Sequence, residues 1–239
     1  MASSSYLWES FLAILSGVPV TLKLTLISFT LGGLLSIPLA LLRTSSNWLI
    51  SALARFYITV FRGTPLLLQL FLIYYGLARF DFVRHTFLWA AFRDPTFCAI
   101  FAFTLNMAAY ASEALRGGLN SVSRGQIEAG RACGMTGGLL YRRVILPLAF
   151  RQALPAYGSE LIIMVKSTAL ASMVTVYDIT GIATRIRAES YNVVEVLIVA
   201  ALIYLAITYL VALALRSLEV WLNPQTKKRH PLSYAEEHQ

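Results

Sequence analysis

The chain has 239 residues, of which 57% are hydrophobic and only 13% charged, against roughly 25% charged in an ordinary soluble domain. So few charges cannot coat a water-soluble globule of this length, and a mean hydropathy of +0.65 excludes intrinsic disorder, which needs low hydrophobicity and high charge. A net charge of +8 would point to nucleic acid in a soluble protein; in a chain this apolar it fits the gathering of Lys and Arg in cytoplasmic loops, and no nucleic acid is expected.

A helix needs about 20 residues to cross the hydrocarbon core. Five apolar segments of about that length follow one another: 18–42, 57–78, 96–116, 155–178 and 193–216. Barrel-type alternation is absent and open sheets cannot span lipid, so the expected fold is all-α and integral to the membrane, with five transmembrane helices. The first segment is expected to stay in the mature chain, because no basic region precedes it and its apolar run is too long for a signal peptide. It carries Lys23 near its outer end, where the side chain reaches the interface. The second carries Arg62 near its inner end and Gln69 seven residues on, on the same face. Along the third, Asn106, Tyr110 and Glu113 recur at i, i+4 and i+7 and form one stripe. Gln69 and Asn106 either line a polar cavity or hydrogen-bond helix to helix, as amides do in membranes. Arg62 and Glu113 are expected to pair, which makes both charges tolerable.

The loop from 117 to 154 is the longest connection between the expected spans. Ser123-Arg124-Gly125-Gln126 reads as a capping box, the Ser hydroxyl accepting from the amide three residues on while the Gln reaches back. This predicts a helix over 124–133. Glu128 sits in its early turns, where a carboxylate favours the dipole, and Gly134 stops it as a left-handed residue. Ala129, Gly130 and Ala132 leave the helix nearly bare of side chains. Such a helix either packs against its own spans or presents a rigid knob to a partner; capping and composition leave both open. A second short helix, 138–145, is expected to end at Leu146-Pro147, since proline does not continue a helix easily.

The fourth segment carries Glu160 near its inner end, expected at a gate or exit, then Lys166, Ser167 and Thr168 near mid-depth. A charge at the bilayer centre costs about 3 kcal/mol on insertion scales, so Lys166 needs a partner. Either its ammonium holds a substrate carboxylate in a polar cavity, or it pairs with a neighbouring helix. Arg185, Arg187, Glu189 and Glu195 mark the following outer loop, solvated or touching an external partner. With the N-terminus out and the C-terminus in, 13 of the 20 Lys and Arg lie inside and five outside, the asymmetry that sets topology. The expected organisation is one transmembrane domain, 1–222, with its inner loop at 117–154, and a cytoplasmic tail, 223–239, whose Lys227-Lys228-Arg229 rests on anionic lipid. Cys98 and Cys133 fall on opposite sides of the third span and are not expected to pair; with His85, His230 and His238 outside the spans, no metal site is expected. No paired carboxylates or nucleophile with a base appear inside the spans, so an enzyme is not expected.

Glu128-Ala129-Gly130, three residues, Gly134, nine residues, then Val144-Ile145-Leu146-Pro147 resembles the EAA loop of ATP-binding cassette importer permeases, with Gly130 in place of the second Ala and Val144 in place of Ile. The runs Phe61-Arg62-Gly63-Thr64-Pro65-Leu66-Leu67-Leu68-Gln69-Leu70, Ala109-Tyr110-Ala111-Ser112-Glu113 with Arg116-Gly117-Gly118, and Lys166-Ser167-Thr168-Ala169-Leu170 are similar to the polar amino acid uptake subfamily. Together they cover about residues 12–220. The resemblance implies a type I importer permease of the inner membrane with a cytoplasmic coupling helix between helices 3 and 4. Gly125, Glu128, Ala129, Gly130, Gly134 and Pro147 would then serve coupling to an ATPase. It implies a complex with a second permease, two ATP-binding cassette ATPases and a periplasmic substrate-binding protein. ATP and Mg would sit on the ATPase, since this sequence has no Gly-x4-Gly-Lys-Ser/Thr phosphate loop and is expected to hold no cofactor. Gln69, Asn106, Tyr110, Lys166, Ser167 and Thr168 are the substrate-pathway candidates; Arg62, Glu113 and Glu160 are a cytoplasmic gate or a structural ion pair. The run Thr175-Val176-Tyr177-Asp178-Ile179-Thr180-Gly181-Ile182-Ala183 looks most similar to permeases for histidine, lysine, arginine and ornithine and for octopine and nopaline. The expected cargo is thus a basic amino acid or opine; glutamine-type or other polar amino acids are the alternative, and a secondary transporter or channel a remoter one.

Overall fold

Thr64 and Pro65 break the second apolar segment where the sequence predicted a straight span over 57–78. A computed structural model describes residues 4–222; the tail, with Lys227, Lys228 and Arg229, lies outside the described residues. Helix α1 (Ser4–Leu15), which the predicted spans did not include, leads across Ser16 and Gly17 into α2 (Val18–Arg43). Helix α3 (Trp48–Gly63) then meets α4 (Leu66–Phe71) at an angle of 105°. The residue before a proline is pushed out of the helical region, and Thr64 is extended, at φ −114° and ψ 145°. Beyond α4 the chain narrows through a π turn, Leu72–Gly76, and a 3-10 turn, Leu77–Arg79, into the short helices α5 (Asp81–Arg84) and α6 (Trp89–Phe92).

Helix α7 (Pro95–Asn120) is the axis of the fold. Pro95 occupies its first turn and the Asp94 carboxylate accepts from the Thr96 amide at 2.9 Å, which starts the helix cleanly. It packs mainly on α2 and α10. Helix α2 presents Ser28, Gly32, Ser36 and Ala40, all buried and four residues apart, so the backbones approach closely, as small residues permit between membrane helices. A Cβ at Gly32 would sit 2.7 Å from the Met107 side chain. Phe103, Met107, Leu24, Leu70, Met164 and Val174 fill the core around α7.

Helix α8 (Arg124–Ala132) follows, then α9 (Gly137–Leu140) and α10 (Leu146–Ser167). The expected stop at Leu146-Pro147 does not occur. Tyr141–Ile145 forms a π turn in which the Leu146 amide donates to the Tyr141 carbonyl. Proline lacks the amide for the next helical bond and its ring clashes with the carbonyl four residues back; one wider turn absorbs both faults, and the helix runs on from Gly137 to Val174. It ends in a 3-10 stretch, Thr168–Val174, and at Thr175, which is left-handed at φ 64°. Helix α11 (Ile179–Ser190) departs at 48°, and α12 (Val193–Leu222) closes the described chain. α1, α11 and α12 share a second core, Ile14, Ile179, Ile182, Val196 and Ile203. Among the described residues, three helical stretches, Tyr6–Arg43, Pro95–Asn120 and Val193–Leu222, are long and apolar enough to cross a membrane, and the two bent pairs bring the number to five if each is one span.

Candidate functional site

The capping box predicted at Ser123 is present. Ser123 Oγ accepts from the Gln126 amide at 3.4 Å and Gln126 Oε1 accepts from the Ser123 amide at 3.1 Å. α8 ends at Ala132, one residue before the expected end, with Cys133 as its C-cap, and Gly134 takes a φ of +77°, the left-handed turn that glycine tolerates. Gly125, Glu128, Ala129, Ala132 and Gly134 are exposed. Gly130 is not: it is buried, and a Cβ there would lie 2.5 Å from Leu140 Cδ1. Gly130 therefore seats α8 on the chain's own Leu140 and Val144, and the open face is carried by Gly125, Glu128 and Ala129. Pro147 is exposed in the first turn of α10 rather than at a helix end.

The break at Thr64-Pro65 exposes carbonyls that no helix satisfies, and an unpaired buried carbonyl is costly. Gln69 answers them. Its Nε2 donates to Phe61 O at 2.9 Å, Thr64 O at 3.1 Å and Thr64 Oγ1 at 2.8 Å. Asn106 Nδ2 donates to Phe61 O at 3.1 Å and to Gln69 Oε1 at 3.0 Å. Of the two readings open for this pair, the helix-to-helix network is the one present, and Gln69 is buried in it.

The same break opens a groove of about 470 Å³. Arg62 and Thr64 line it from the break, Asn106 and Tyr110 from α7, and Glu160 and Ser167 from α10. One cation and one carboxylate thus face a shared space, and the Arg62 guanidinium lies 5.1 Å from the Tyr110 ring centroid, within cation–π range. Lys166 is exposed and not among the lining residues; one helical step, about 100°, separates it from Ser167. Thr168 is buried, its hydroxyl donating to Val165 O at 2.7 Å. The structure therefore brings Asn106, Tyr110 and Ser167 together with Arg62 and Glu160, holds Gln69 behind the groove, and leaves Lys166 and Thr168 out.

Arg62 and Glu113 do pair, at 3.9 Å, but as the weaker part of a larger cluster. Arg116 binds the Glu113 carboxylate with Nε and NH2 at 2.7–3.1 Å, and Arg43 approaches at 4.0 Å. One carboxylate on α7 thus ties Arg43, the last residue of α2, to Arg62 in the last turn of α3. Arg185 pairs with Glu189 at 4.0 Å on α11 and stacks over Tyr177.

Asp178 was not singled out from sequence. It is fully buried, caps α11 by accepting from the Gly181 amide at 2.9 Å, and accepts from the Tyr204 hydroxyl of α12 at 2.9 Å. The Ile179 amide beside it donates to Thr21 Oγ1 at 3.4 Å. A lone Asp closing an apolar run three residues before Gly181 is the N-cap signal that would have found it.

The family model for "binding-protein-dependent transport system inner membrane component" matches residues 32–228. The chain is similar to the octopine transport system permease protein OccM of Rhizobium meliloti, 48% identical over 233 residues, 97% of this chain and 95% of that one. It is similar to the histidine/lysine/arginine/ornithine transport system permease protein HisM of Escherichia coli, 43% identical over 209 residues, 87% and 88% of the two chains. Among solved structures, a chain of an amino acid ABC transporter crystallised with histidines superposes with a TM-score of 0.81 at 35% identity, covering 92% of this chain and 98% of that one.

Proposed function

This chain belongs to the family of binding-protein-dependent transport system inner membrane components, the permease subunits of ATP-binding cassette importers, and we propose that it moves a basic amino acid or an opine inward by alternating access, driven by a separate ATPase. The observation that carries the reading is one of continuity. α8 stands exposed and is seated through Gly130 on Leu140 and Val144. Those residues begin the helix that runs unbroken to Val174 and carries Glu160 and Ser167 into the groove. Force applied to α8 reaches the groove through one helix. Alternating access needs contacts that differ between two states; the Glu113 cluster at the ends of α2, α3 and α7 is the set that would open and close on the inner side.

The substrate reading rests on the groove. Arg62 offers a planar donor fork suited to a carboxylate, and Glu160 an acceptor for a cationic side chain or amine. An arginine-type amino acid or its opine conjugate carries both charges. The reading takes the bent pairs as two spans, five in all, with the N-terminus outside, one transmembrane domain over 1–222, and α8 on the cytoplasmic side. A second permease, two ATPases carrying ATP and Mg, and a periplasmic binding protein complete the complex in the inner membrane. The deciding experiment is uptake into vesicles holding all subunits, with labelled arginine, octopine and glutamine in competition. Arginine or octopine should dominate, and Glu160→Gln should narrow their advantage over glutamine; uptake of glutamine alone would overturn the assignment.

A further inference from the structure

Helix α3 carries three distinct stripes. Ser51, Ala54 and Ile58 are buried. Leu49, Leu53, Phe56 and Val60 are exposed at i, i+4, i+7 and i+11. Arg55, Thr59 and Arg62 are exposed at i, i+4 and i+7 between the two. An apolar stripe beside a cationic one on a single helix is the pattern of a segment lying where hydrocarbon meets headgroups.

The cationic stripe opens onto two adjoining recesses. One, of about 390 Å³, is lined by Arg43, Arg55, Arg62 and Glu113; the other, of about 700 Å³, by Ser45, Ser46, Trp48 and Phe56; both include Arg55 and Thr59. The one carboxylate is already held by Arg116 at 2.7 Å, so the guanidinium charge in the first recess is largely uncompensated. Arg55 has no ion pair or hydrogen bond among the described residues. Trp48 is 77% exposed at the rim, the position that tryptophan takes at a membrane interface.

We propose that this recess binds the phosphate headgroup of an anionic phospholipid of the inner leaflet, with Arg55 and Arg43 holding the phosphate and its acyl chains lying on Leu49, Leu53 and Phe56. Basic pockets between helices on the cytoplasmic side take such headgroups. A soluble phosphate would use the guanidiniums but leave the apolar stripe uncovered. The leaflet assignment rests on the orientation proposed above.

The test uses the full-length chain in lipid nanodiscs with Trp48 as its single tryptophan (Trp8, Trp89 and Trp221 replaced by Phe). Phosphatidylglycerol and phosphatidylcholine with brominated chains are compared as quenchers at equal mole fraction. Brominated phosphatidylglycerol should quench Trp48 at lower mole fraction than brominated phosphatidylcholine. Arg55→Gln should reduce that preference about fivefold, the worth of one basic side chain at an anionic surface, and Arg55→Lys should restore most of it. Equal quenching by the two lipids, no quenching by either because a protein covers the face, or a preference unchanged in Arg55→Gln would each overturn the proposal. So would loss of the phosphatidylglycerol preference on adding inorganic phosphate, which would identify a soluble-anion site. Copurification of an ATPase, scored on the same preparation, tests the importer reading separately.

Discussion

Replacing Gln69 by Leu separates a residue that holds the fold from one that reads the substrate. The Gln69 amide makes four contacts at the break, three donated to Phe61 and Thr64 and one accepted from Asn106. Hydrogen bonds between membrane helices average about 0.6 kcal/mol, so Gln69→Leu, which keeps the volume, should cost about 2 kcal/mol. Asn106→Leu loses two contacts and should cost about 1 kcal/mol, and the double variant less than the sum, because the bond between the two amides is lost only once. For a chain of this size about 2 kcal/mol lowers the unfolding midpoint by roughly 4–8 °C. Buried Cys98 supplies the assay: with exposed Cys133 replaced by Ser, a thiol-reactive dye reports when α7 comes free. Should Gln69→Leu unfold at the native temperature while its half-saturation for uptake rises, the amide is a substrate contact and the account of the break is wrong.

Two further expectations concern the Glu113 cluster. Glu113→Gln should lower the midpoint by an amount worth about 1 kcal/mol, since the cluster is partly exposed and such pairs are weak. Arg116→Ala should cost more than Arg43→Ala, because Arg116 lies at 2.7 Å and Arg43 at 4.0 Å; equal losses in thermal unfolding at low salt would contradict the geometry. At α8, Gly130→Val should cost about 1–3 kcal/mol by overpacking against Leu140 and be relieved by Leu140→Ala, whereas Ala129→Trp should leave unfolding unchanged and abolish copurification of the ATPase. An ATPase retained by Ala129→Trp would remove α8 from the docking role.

The sequence shows most plainly what depends on local chemistry. The capping box at Ser123, the left-handed Gly134 and the bounds of α2 all follow from residues within a few positions of each other. What it hides is whatever depends on a distant partner. The span expected over 57–78 passes straight through Pro65, and the 105° turn there shows only with α4 packed on α7. Gly130 reads as a bare surface position because its partner, Leu140, lies across a turn whose geometry is set by Gly134 and Gly137, both at positive φ. Lys166 stands out in the sequence by its charge, yet helical phase turns Ser167 and Glu160 to the groove instead. Asp178 was legible as a cap and invisible as a hub, since its second partner, Tyr204, stands 26 residues on.

Pro147 is the residue at which the proposed transmission would fail in a chain built differently. A proline after α9 ordinarily ends a helix, and a joint there would let α8 move without moving the groove. The π turn at Tyr141–Ile145 removes that joint and leaves one continuous helical stretch, roughly 55 Å long at 1.5 Å per residue, from Gly137 to Val174, with Pro155 inside it. Arg142 and Arg143 are exposed within it, so their stiffness can be altered without touching the core. Replacing both by Gly costs about 1 kcal/mol per residue of helix propensity relative to Ala and softens the stretch at its base. The assembled transporter should then keep its ATPase and hydrolyse ATP while importing little, and the matched pair of Ala substitutions should import normally. If the Ala pair fails as badly as the Gly pair, the two charges matter and the stretch does not; if the Gly pair imports normally, force reaches Glu160 and Ser167 by another path.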